Sequence, residues 1–247
     1  MEDIFKSWLV EIPIAHRGLH DKNTPENSLA AFSKAIEKGF AIELDVQLLS
    51  DNTVVVFHDT SLSRMTGNDG YIKFLNKNDL KVLKLKGTKE HIPTFEEVLN
   101  LVDGKTPLLI EIKNSSTKVG KLEQKVVDLL KNYNGEYAVQ SFNPFSLQYF
   151  KNHAPNILRG QLSGSYKGED FNGIPFYQKF FLKRMALNKT ISHPNFINYE
   201  ANALPNRYVK KYKQIPLLAW VVRSKEEYLR VVKYCDNIVF EDFIPEI

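Results

Sequence analysis

The sequence predicts an α/β protein with the (β/α)8 fold, the TIM barrel. Eight short apolar runs recur along the 247 residues, and segments with helical periodicity lie between most of them. Such alternation is typical of parallel α/β folds, and about 250 residues is a usual length for this barrel. An open doubly wound sheet is the alternative, but no G-x-G-x-x-G turn or P-loop follows the first predicted strand. We therefore expect a single domain over residues 1–247.

The predicted strands are short apolar runs that turn residues or charged residues interrupt. They cover residues 12–15, 41–46, 107–112, 137–140, 157–162, 196–199, 216–222 and 237–240. Four helices between them show an apolar stripe or a start signal, such as the capping box that opens at Thr94. They cover residues 27–37, 94–102, 118–130 and 224–234.

The interval between the second strand and the helix at Thr94 is too long for an ordinary βα loop. It contains an apolar run of its own, residues 53–58, after a turn-like sequence. We therefore predict a small insertion, about residues 47–93, that begins as a hairpin. If Asp51 and Asn52 form a two-residue loop, the register places His58 opposite Asp45.

The composition excludes several classes of protein. The formal net charge is +4 and the bases are dispersed along the sequence, so we expect no nucleic-acid partner. Cys235 is the single cysteine, which rules out an internal disulfide framework and a cysteine-based zinc site. No apolar run has the length of a signal peptide core or of a membrane span. We expect a cytoplasmic protein, and the sequence leaves the oligomeric state open.

Acidic residues alternate with apolar residues along the second predicted strand. The period of two places Glu43 and Asp45 on one face, which in a barrel points inward. Glu111 and Lys113 share a face of the next barrel strand in the same way. Three inward carboxylates repel one another, and a hard cation such as Mg²⁺ or Ca²⁺ relieves that repulsion. The alternative is a structural ion pair between Glu43 or Glu111 and Lys113.

A second cluster of reactive side chains ends the first predicted strand, where barrel enzymes carry their chemistry. His16 can exchange a proton near neutral pH, and Arg17 offers a planar fork of donors for a phosphate. Gly18 permits a close approach of the backbone to a ligand. These three residues are candidates for a catalytic site.

Several short motifs occur in the order in which one enzyme family carries them. They are residues 14–18 (IAHRG), 24–27 (TPEN), 42–46 (IELDV), 55–59 (VVFHD), 62–67 (LSRMTG), 92–98 (IPTFEEV), 111–113 (EIK) and 140–142 (QSF). With these motifs the chain resembles the glycerophosphodiester phosphodiesterase family. The resemblance is close over residues 12–113 and looser over the rest of the chain.

The resemblance implies a metal-dependent TIM barrel that cleaves glycerophosphodiesters to glycerol 3-phosphate and an alcohol. It also implies one divalent cation, Mg²⁺ or Ca²⁺, held by three carboxylates, and a pair of histidines for acid/base work. The implied metal ligands are Glu43, Asp45 and Glu111. The implied acid/base pair is His16 and His58.

Further roles follow from the same resemblance. Arg17 and Lys113 would contact the phosphate, Glu26 would support the metal ligands, and Trp220 would form a wall for the glycerol. No serine, threonine or cysteine stands out beside a base, so we predict that the substrate's own vicinal hydroxyl attacks phosphorus and forms a cyclic phosphate.

Two other functions remain open at this point. One is a phospholipase-type barrel that acts on intact lipids or lysolipids with the same histidine pair. The other is a non-catalytic module that binds phosphoesters. Both histidines and all three carboxylates are present, which disfavours the non-catalytic module. The expected partner is a small-molecule glycerophosphodiester substrate.

Residues 174–189 mix aromatic side chains with bases. Interfacial helices have such a composition, which predicts weak contact with a membrane surface. The alternative is a barrel helix with an apolar inner face and a basic outer edge.

Overall fold

The computed structural model describes residues 3–167 and 174–246. Contacts divide the chain into two compact units. The first unit comprises Ile14–Asn114 and Lys118–Tyr137. The second unit comprises Met1–Pro13, Ser115–Thr117 and Ala138–Ile247.

Nine strands and eight α-helices are present in the described part of the chain. The strands are β1 (Ile14–Ala15), β2 (Ala41–Leu48), β3 (Val54–Val56), β4 (Leu108–Ile112), β5 (Tyr137–Ser141), β6 (Leu158–Ser163), β7 (Phe196–Glu200), β8 (Leu217–Val222) and β9 (Asn237–Phe240). The helices are α1 (Trp8–Glu11), α2 (Leu29–Glu37), α3 (Ser63–Thr66), α4 (Phe95–Val102), α5 (Lys121–Leu130), α6 (Pro144–His153), α7 (Phe176–Lys183) and α8 (Lys225–Val231).

In the first unit, β2 is the central strand. It pairs in parallel with β1 on one side and with β4 on the other. Its carboxyl-terminal half also pairs antiparallel with β3. Apart from the half-buried Leu48, the apolar residues of these strands are buried, and the register aligns Asp45 of β2 with Glu111 of β4.

In the second unit, parallel pairs join β5 to β6, β6 to β7, β7 to β8 and β8 to β9. Eight parallel strands thus alternate with helices along the chain, and β3 is the additional antiparallel strand. This is the (β/α)8 barrel, and the predicted fold class is confirmed. All eight predicted strands are present, with ends that differ by at most two residues.

Local capping explains where several helices begin. The Ser28 hydroxyl accepts a hydrogen bond from the Ala31 amide at the start of α2. Thr94 and Glu97 form the predicted capping box of α4. The sequence analysis did not predict α6, which begins with an Asn143 cap and a proline at its first position.

The insertion between β2 and α4 has a small hydrophobic cluster of its own. Short helical turns and the hairpin strand β3 surround this cluster, which stabilises a segment with little regular structure. Its buried members are Leu49, Val55, Phe57, Leu62, Ile72, Leu80, Leu85 and Ile92.

The predicted hairpin register is wrong by one residue. Val46 pairs with Val56, which places Phe57 rather than His58 opposite Asp45. The amide of Leu49 bonds to the Thr53 carbonyl, so the loop has three residues, and Asn52 adopts a left-handed conformation with φ 69°. Such three-residue loops commonly place a residue in this conformation, and the extra residue shifts the pairing.

Across the residues that the structure describes, we find no helix with the length and apolar character needed to cross a lipid bilayer.

Candidate active site

The structure brings the three predicted metal ligands together. Glu43 and Asp45 lie two residues apart on β2, and Glu111 lies beside Asp45 on β4. All three side chains are buried. One carboxylate oxygen from each lies within 4.8 Å of the others. Neighbouring parallel strands therefore assemble a compact set of oxygen donors.

Burial makes this arrangement electrostatically costly. Burial, with the charges of Asp45 and Glu111, raises the pKa of Glu43 well above its usual range. Burial also raises the pKa of Glu111. Burial acts in the same direction on Asp45, but the charges of His58, Lys113 and Arg17 outweigh it and hold the pKa of Asp45 well below its usual range. Two of the three carboxyls thus resist ionisation in this setting.

Lys113 forms part of the predicted alternative, a structural ion pair. Its Nζ lies 3.1 Å from Glu111 Oε1 and 3.6 Å from Asp45 Oδ1. The ammonium group of Lys113 alone cannot balance three carboxylates, and among the residues that the structure describes the buried Asp45 Oδ1 finds no hydrogen-bond partner. Oxygen donors of this kind suit Mg²⁺ and Ca²⁺. The residues therefore fit a divalent cation, with Lys113 as an additional positive charge.

The turn after β1 holds Arg17 against the carboxylates. Arg17 and Gly18 both adopt left-handed conformations, with φ of 53° and 79°. The Arg17 backbone amide donates to Glu43 Oε2 at 3.0 Å, and its Nε lies 3.3 Å from Asp45 Oδ2. A left-handed conformation is costly for a residue other than glycine and is frequent at functional sites. The turn thus orients both the backbone and the guanidinium of Arg17.

Gly18 is required by packing as well as by its conformation. A Cβ atom at this position would lie 2.9 Å from atoms of Ala31 and Phe32. Gly18 therefore packs closely against helix α2, whereas the approach of its backbone to a ligand stays a prediction.

The Asp59 carboxylate orients the His58 ring, and the side-chain amide of Gln47 holds the backbone of the segment that carries it. Its Nδ1 lies 2.7 Å from Asp59 Oδ1. Hydrogen bonds from His58 and Arg64 outweigh the effect of burial and lower the pKa of Asp59, so its ionised carboxylate accepts and His58 Nδ1 carries the proton. The Gln47 side-chain amide donates to the backbone carbonyls of Phe57, His58 and Asp59 at 2.7, 3.0 and 3.0 Å. These bonds fix the backbone of the segment that carries His58.

Arg64 connects two acidic residues of the site. It donates two hydrogen bonds to Asp59, at 2.6 and 2.9 Å, and two to Glu26, both at 2.7 Å. Glu26 also accepts from Arg17 Nη1 at 2.6 Å. Burial opposes ionisation of Glu26, but these bonds lower its pKa to about 2. A continuous series of charged contacts thus runs from Arg17 to His58.

The remaining predicted site residues lie at strand ends or within strands. His16 follows β1 directly and is half-buried. Trp220 lies on β8 in the second unit, where its Nε1 donates to the Ser163 carbonyl at 3.1 Å. Its ring meets Phe142 edge to face, with centroids 5.4 Å apart.

Four residues of the site received no role from the sequence. Gln47, Asp59 and Arg64 support His58, as described above. Asn27 Nδ2 donates to Asp45 Oδ2 at 2.8 Å. Asn27, Asp59 and Arg64 all lie within the motifs that carry the resemblance, and Gln47 continues the inward alternation of β2. These positions, in the motifs and on the inward face of β2, are the sequence signals that could have identified the four residues.

Comparison with known proteins supports this picture. A sequence model of the glycerophosphoryl diester phosphodiesterase family matches residues 16–245. The chain is 34% identical over 240 residues to a glycerophosphodiester phosphodiesterase of Caldanaerobacter subterraneus, covering 93% of both proteins. It is 36% identical over 137 residues to a lysophospholipase D of Rattus norvegicus, covering 50% of this chain and 42% of that protein.

A solved structure extends the comparison to the whole fold. It is that of an Oleispira antarctica phosphodiesterase in complex with the product sn-glycerol-3-phosphate. The TM-score is 0.79 at 26% identity, with 95% of this chain and 94% of the other chain covered. Fold and site together define a phosphodiesterase built on a (β/α)8 barrel. The chain belongs to the glycerophosphoryl diester phosphodiesterase family and is an enzyme of that activity.

Proposed function

We propose that the enzyme hydrolyses glycerophosphodiesters to glycerol 3-phosphate and an alcohol, using a divalent cation and two histidines. The observation that carries this proposal is the compact set of buried carboxylates beside Lys113. Glu43, Asp45 and Glu111 offer oxygen ligands within 4.8 Å of one another. When bound there, Mg²⁺ or Ca²⁺ supplies Lewis-acid stabilisation of negative charge on phosphoryl oxygens.

Arg17 and Lys113 bind the phosphate in this proposal. Both cations lie next to Asp45, and the Arg17 Nε–H makes no hydrogen bond within the described part of the protein. Guanidinium and ammonium donors stabilise the charge that develops on phosphoryl oxygens in the transition state. Trp220 is proposed as a wall for the glycerol.

The reaction begins on the glycerol side of the substrate. The glycerol hydroxyl vicinal to the ester attacks phosphorus, one histidine takes its proton, and the new P–O bond closes a cyclic phosphate. The bond from phosphorus to the alcohol breaks, and the other histidine gives that alcohol a proton. Water then opens the ring with the proton transfers reversed, which yields glycerol 3-phosphate. An intramolecular nucleophile gains a large effective concentration.

His58 is suited to one of these proton transfers. Asp59 accepts from Nδ1, which directs the exchange of protons to Nε2. We propose His16, at the end of β1, for the complementary transfer. Replacing either histidine by Gln should lower kcat by at least ~10²-fold if it performs acid/base catalysis.

The test is an assay of the purified protein against glycerophosphocholine and related diesters, before and after exhaustive chelation. We expect release of glycerol 3-phosphate that stops after chelation and returns with Mg²⁺ or Ca²⁺. Full activity after chelation would overturn the role of the cation. The same assay on a deoxy analogue, whose vicinal hydroxyl is replaced by hydrogen, tests the cyclic phosphate. Efficient hydrolysis of that analogue would exclude the cyclic route.

A lysophospholipase D activity is the second candidate function. The similarity to the lysophospholipase D of Rattus norvegicus favours it, although that similarity covers half of this chain. Including a lysophosphatidylcholine in the panel distinguishes the two functions, because that substrate retains an acyl chain. Preference for the acylated substrate would replace the first proposal by the second.

A further inference from the structure

Helix α7 presents an unusual number of aromatic side chains to solvent. None of its residues is buried. Phe176 is 85% exposed, Tyr177 63%, Phe180 42% and Phe181 50%. A barrel helix with an apolar inner face would bury such residues, so that interpretation of the segment is wrong for α7. Exposed apolar patches of this kind mark interaction surfaces.

The end of α7 is fixed to the barrel strands of its own unit. The Ser163 hydroxyl of β6 donates to the Leu182 carbonyl at 3.1 Å. The Tyr199 hydroxyl of β7 lies 3.4 Å from the Lys183 carbonyl. The Tyr212 hydroxyl donates to the Met185 carbonyl at 3.2 Å. These contacts satisfy carbonyls that a helix end leaves without intrahelical partners. The aromatic residues therefore project from a helix whose carboxyl end is held in place.

Bases from two separate segments of the sequence lie close together after this helix, around the ring of Tyr208. Residues 174–189 contain four bases and no acid, and residues 207–213 also contain four bases and no acid. The Arg184 guanidinium lies 3.5 Å from the centroid of the Phe180 ring and 5.9 Å from that of Tyr208, which joins the two segments. These eight bases exceed the formal net charge of the whole chain, +4, so the rest of the chain is net acidic.

We propose that this surface, residues 174–189 with residues 207–213, docks the enzyme on an anionic lipid bilayer. Exposed aromatic residues on a short helix, flanked by bases, are the features of interfacial membrane-binding segments. The positive charge complements the negative surface potential of anionic lipids. Docking would place the enzyme where lipid-derived diesters arise, but the proposal concerns binding and stands independently of the catalysed reaction.

The same features disfavour two other occupants. In a symmetric dimer the patch would face itself, and the bases of one copy would oppose those of the other. Single-stranded nucleic acids bind in basic grooves in which aromatic residues stack on the nucleobases. Phe176 and Tyr177 instead lie exposed at the start of a helix, which disfavours a nucleic acid as the occupant.

The test is sedimentation of the purified protein with phosphatidylcholine vesicles, with and without phosphatidylglycerol. We expect binding only to the vesicles that contain phosphatidylglycerol. Changing Lys179, Lys183 and Arg184 to Gln should weaken this binding about a hundredfold, because each base near an anionic surface strengthens binding about fivefold. The double variant Phe176→Ser, Tyr177→Ser should weaken it at least about tenfold, because it removes the apolar contact.

Matched variants elsewhere separate the patch from general effects of charge and exposure. Lys38, Lys121 and Lys125 are exposed, and their joint change to Gln removes the same charge. Tyr71→Ser with Phe74→Ser removes two exposed aromatic residues from the insertion. These controls should bind vesicles like the wild type. All variants should keep the wild-type melting temperature and turn over soluble glycerophosphocholine normally.

Several results would overturn the proposal. They are undiminished vesicle binding by the α7 variants, equal loss in the matched controls, and no binding to phosphatidylglycerol by the wild type. A patch-dependent dimer in sedimentation equilibrium without vesicles would assign the surface to a second copy. Tighter binding of a single-stranded oligonucleotide than of vesicles would assign it to nucleic acid. Lost turnover of the soluble substrate would place the segment in the active site.

Discussion

At the scale of single residues, the position of His58 depends on a side chain six residues further along the chain. Asp59 holds the imidazole through Nδ1, and Arg64 in turn holds Asp59 with two hydrogen bonds. Arg64 makes the same kind of contact with Glu26, which also binds Arg17. We infer that Arg64 positions His58 and Arg17 relative to the carboxylates without touching the substrate itself.

Arg64→Gln should therefore lower kcat more than it changes KM. Loss of an outer partner of an active-site group typically costs ~10–100-fold in activity. Arg64→Lys should recover only part of kcat, because one ammonium cannot make two planar pairs. Steady-state kinetics on glycerophosphocholine measures both effects. Arg230→Gln is the matched control, since Arg230 is 40% exposed and pairs with Glu227 elsewhere. An Arg64→Gln effect confined to KM would contradict the positioning role.

The same substitution should also change how stability depends on pH. Glu26 has a pKa near 2 in the folded protein against 4.5 ordinarily, so its contribution is fully present above about pH 4.5 and is lost as the pH falls toward 2. Because Arg64 is 48% exposed and solvent screens its charge, we expect a loss of roughly 1–2 kcal/mol in Arg64→Gln at pH 7. The difference from wild type should shrink toward pH 3.5 in thermal unfolding. A pH-independent difference would exclude this linkage.

At the scale of elements, the packing of α2 against the turn after β1 connects fold to site. Gly18→Ala should destabilise the protein for two reasons, its left-handed φ and the 2.9 Å contacts of a new Cβ with α2. Gly39→Ala isolates the first reason, because Gly39 has a similar φ of 72° and open space around it. We expect Gly39→Ala to cost ~1 kcal/mol and Gly18→Ala about 1–3 kcal/mol more.

Activity distinguishes the two glycine variants further. The turn carries Arg17, whose amide donates to Glu43, so Gly18→Ala should also reduce kcat. Urea unfolding and steady-state kinetics on both variants provide the comparison. Equal stability and activity of Gly18→Ala and Gly39→Ala would show that α2 shifts to accommodate the new Cβ atom. The turn after β1 would then not be coupled to the site.

The elements also show what could be predicted from the sequence. The strands could be predicted because their apolar runs are short and lie between turn or charged residues. The carboxylates on β2 and β4 could be predicted because they interrupt the apolar pattern of these strands at every second position. The hairpin register depended on the conformation of Asn52, which composition does not determine. The contact from Arg64 to Glu26 spans 38 positions and depends on how the insertion packs. Local patterns carry no information about such a distance.

At the scale of the whole molecule, we expect the carboxylate cluster to affect stability as well as chemistry. Glu43, Asp45 and Glu111 are buried close together, and burial raises the pKa of both Glu43 and Glu111. A ligand that binds only the native state stabilises it by mass action, by ~2.7 kcal/mol at a hundred times its Kd. For a chain of this size, this amounts to a rise of about 5–10 °C in Tm.

Cation binding should therefore be measurable through thermal unfolding. Adding Mg²⁺ or Ca²⁺ to chelated protein should raise Tm, and NaCl at matched ionic strength should not. Glu111→Gln removes one ligand charge, so it should weaken cation binding at least about tenfold in titration calorimetry while the cation-free variant still unfolds cooperatively. Glu37→Gln, an exposed matched control, should respond like the wild type. The rise in Tm should therefore be smaller in Glu111→Gln than in the wild type, and an equal rise would place the cation elsewhere.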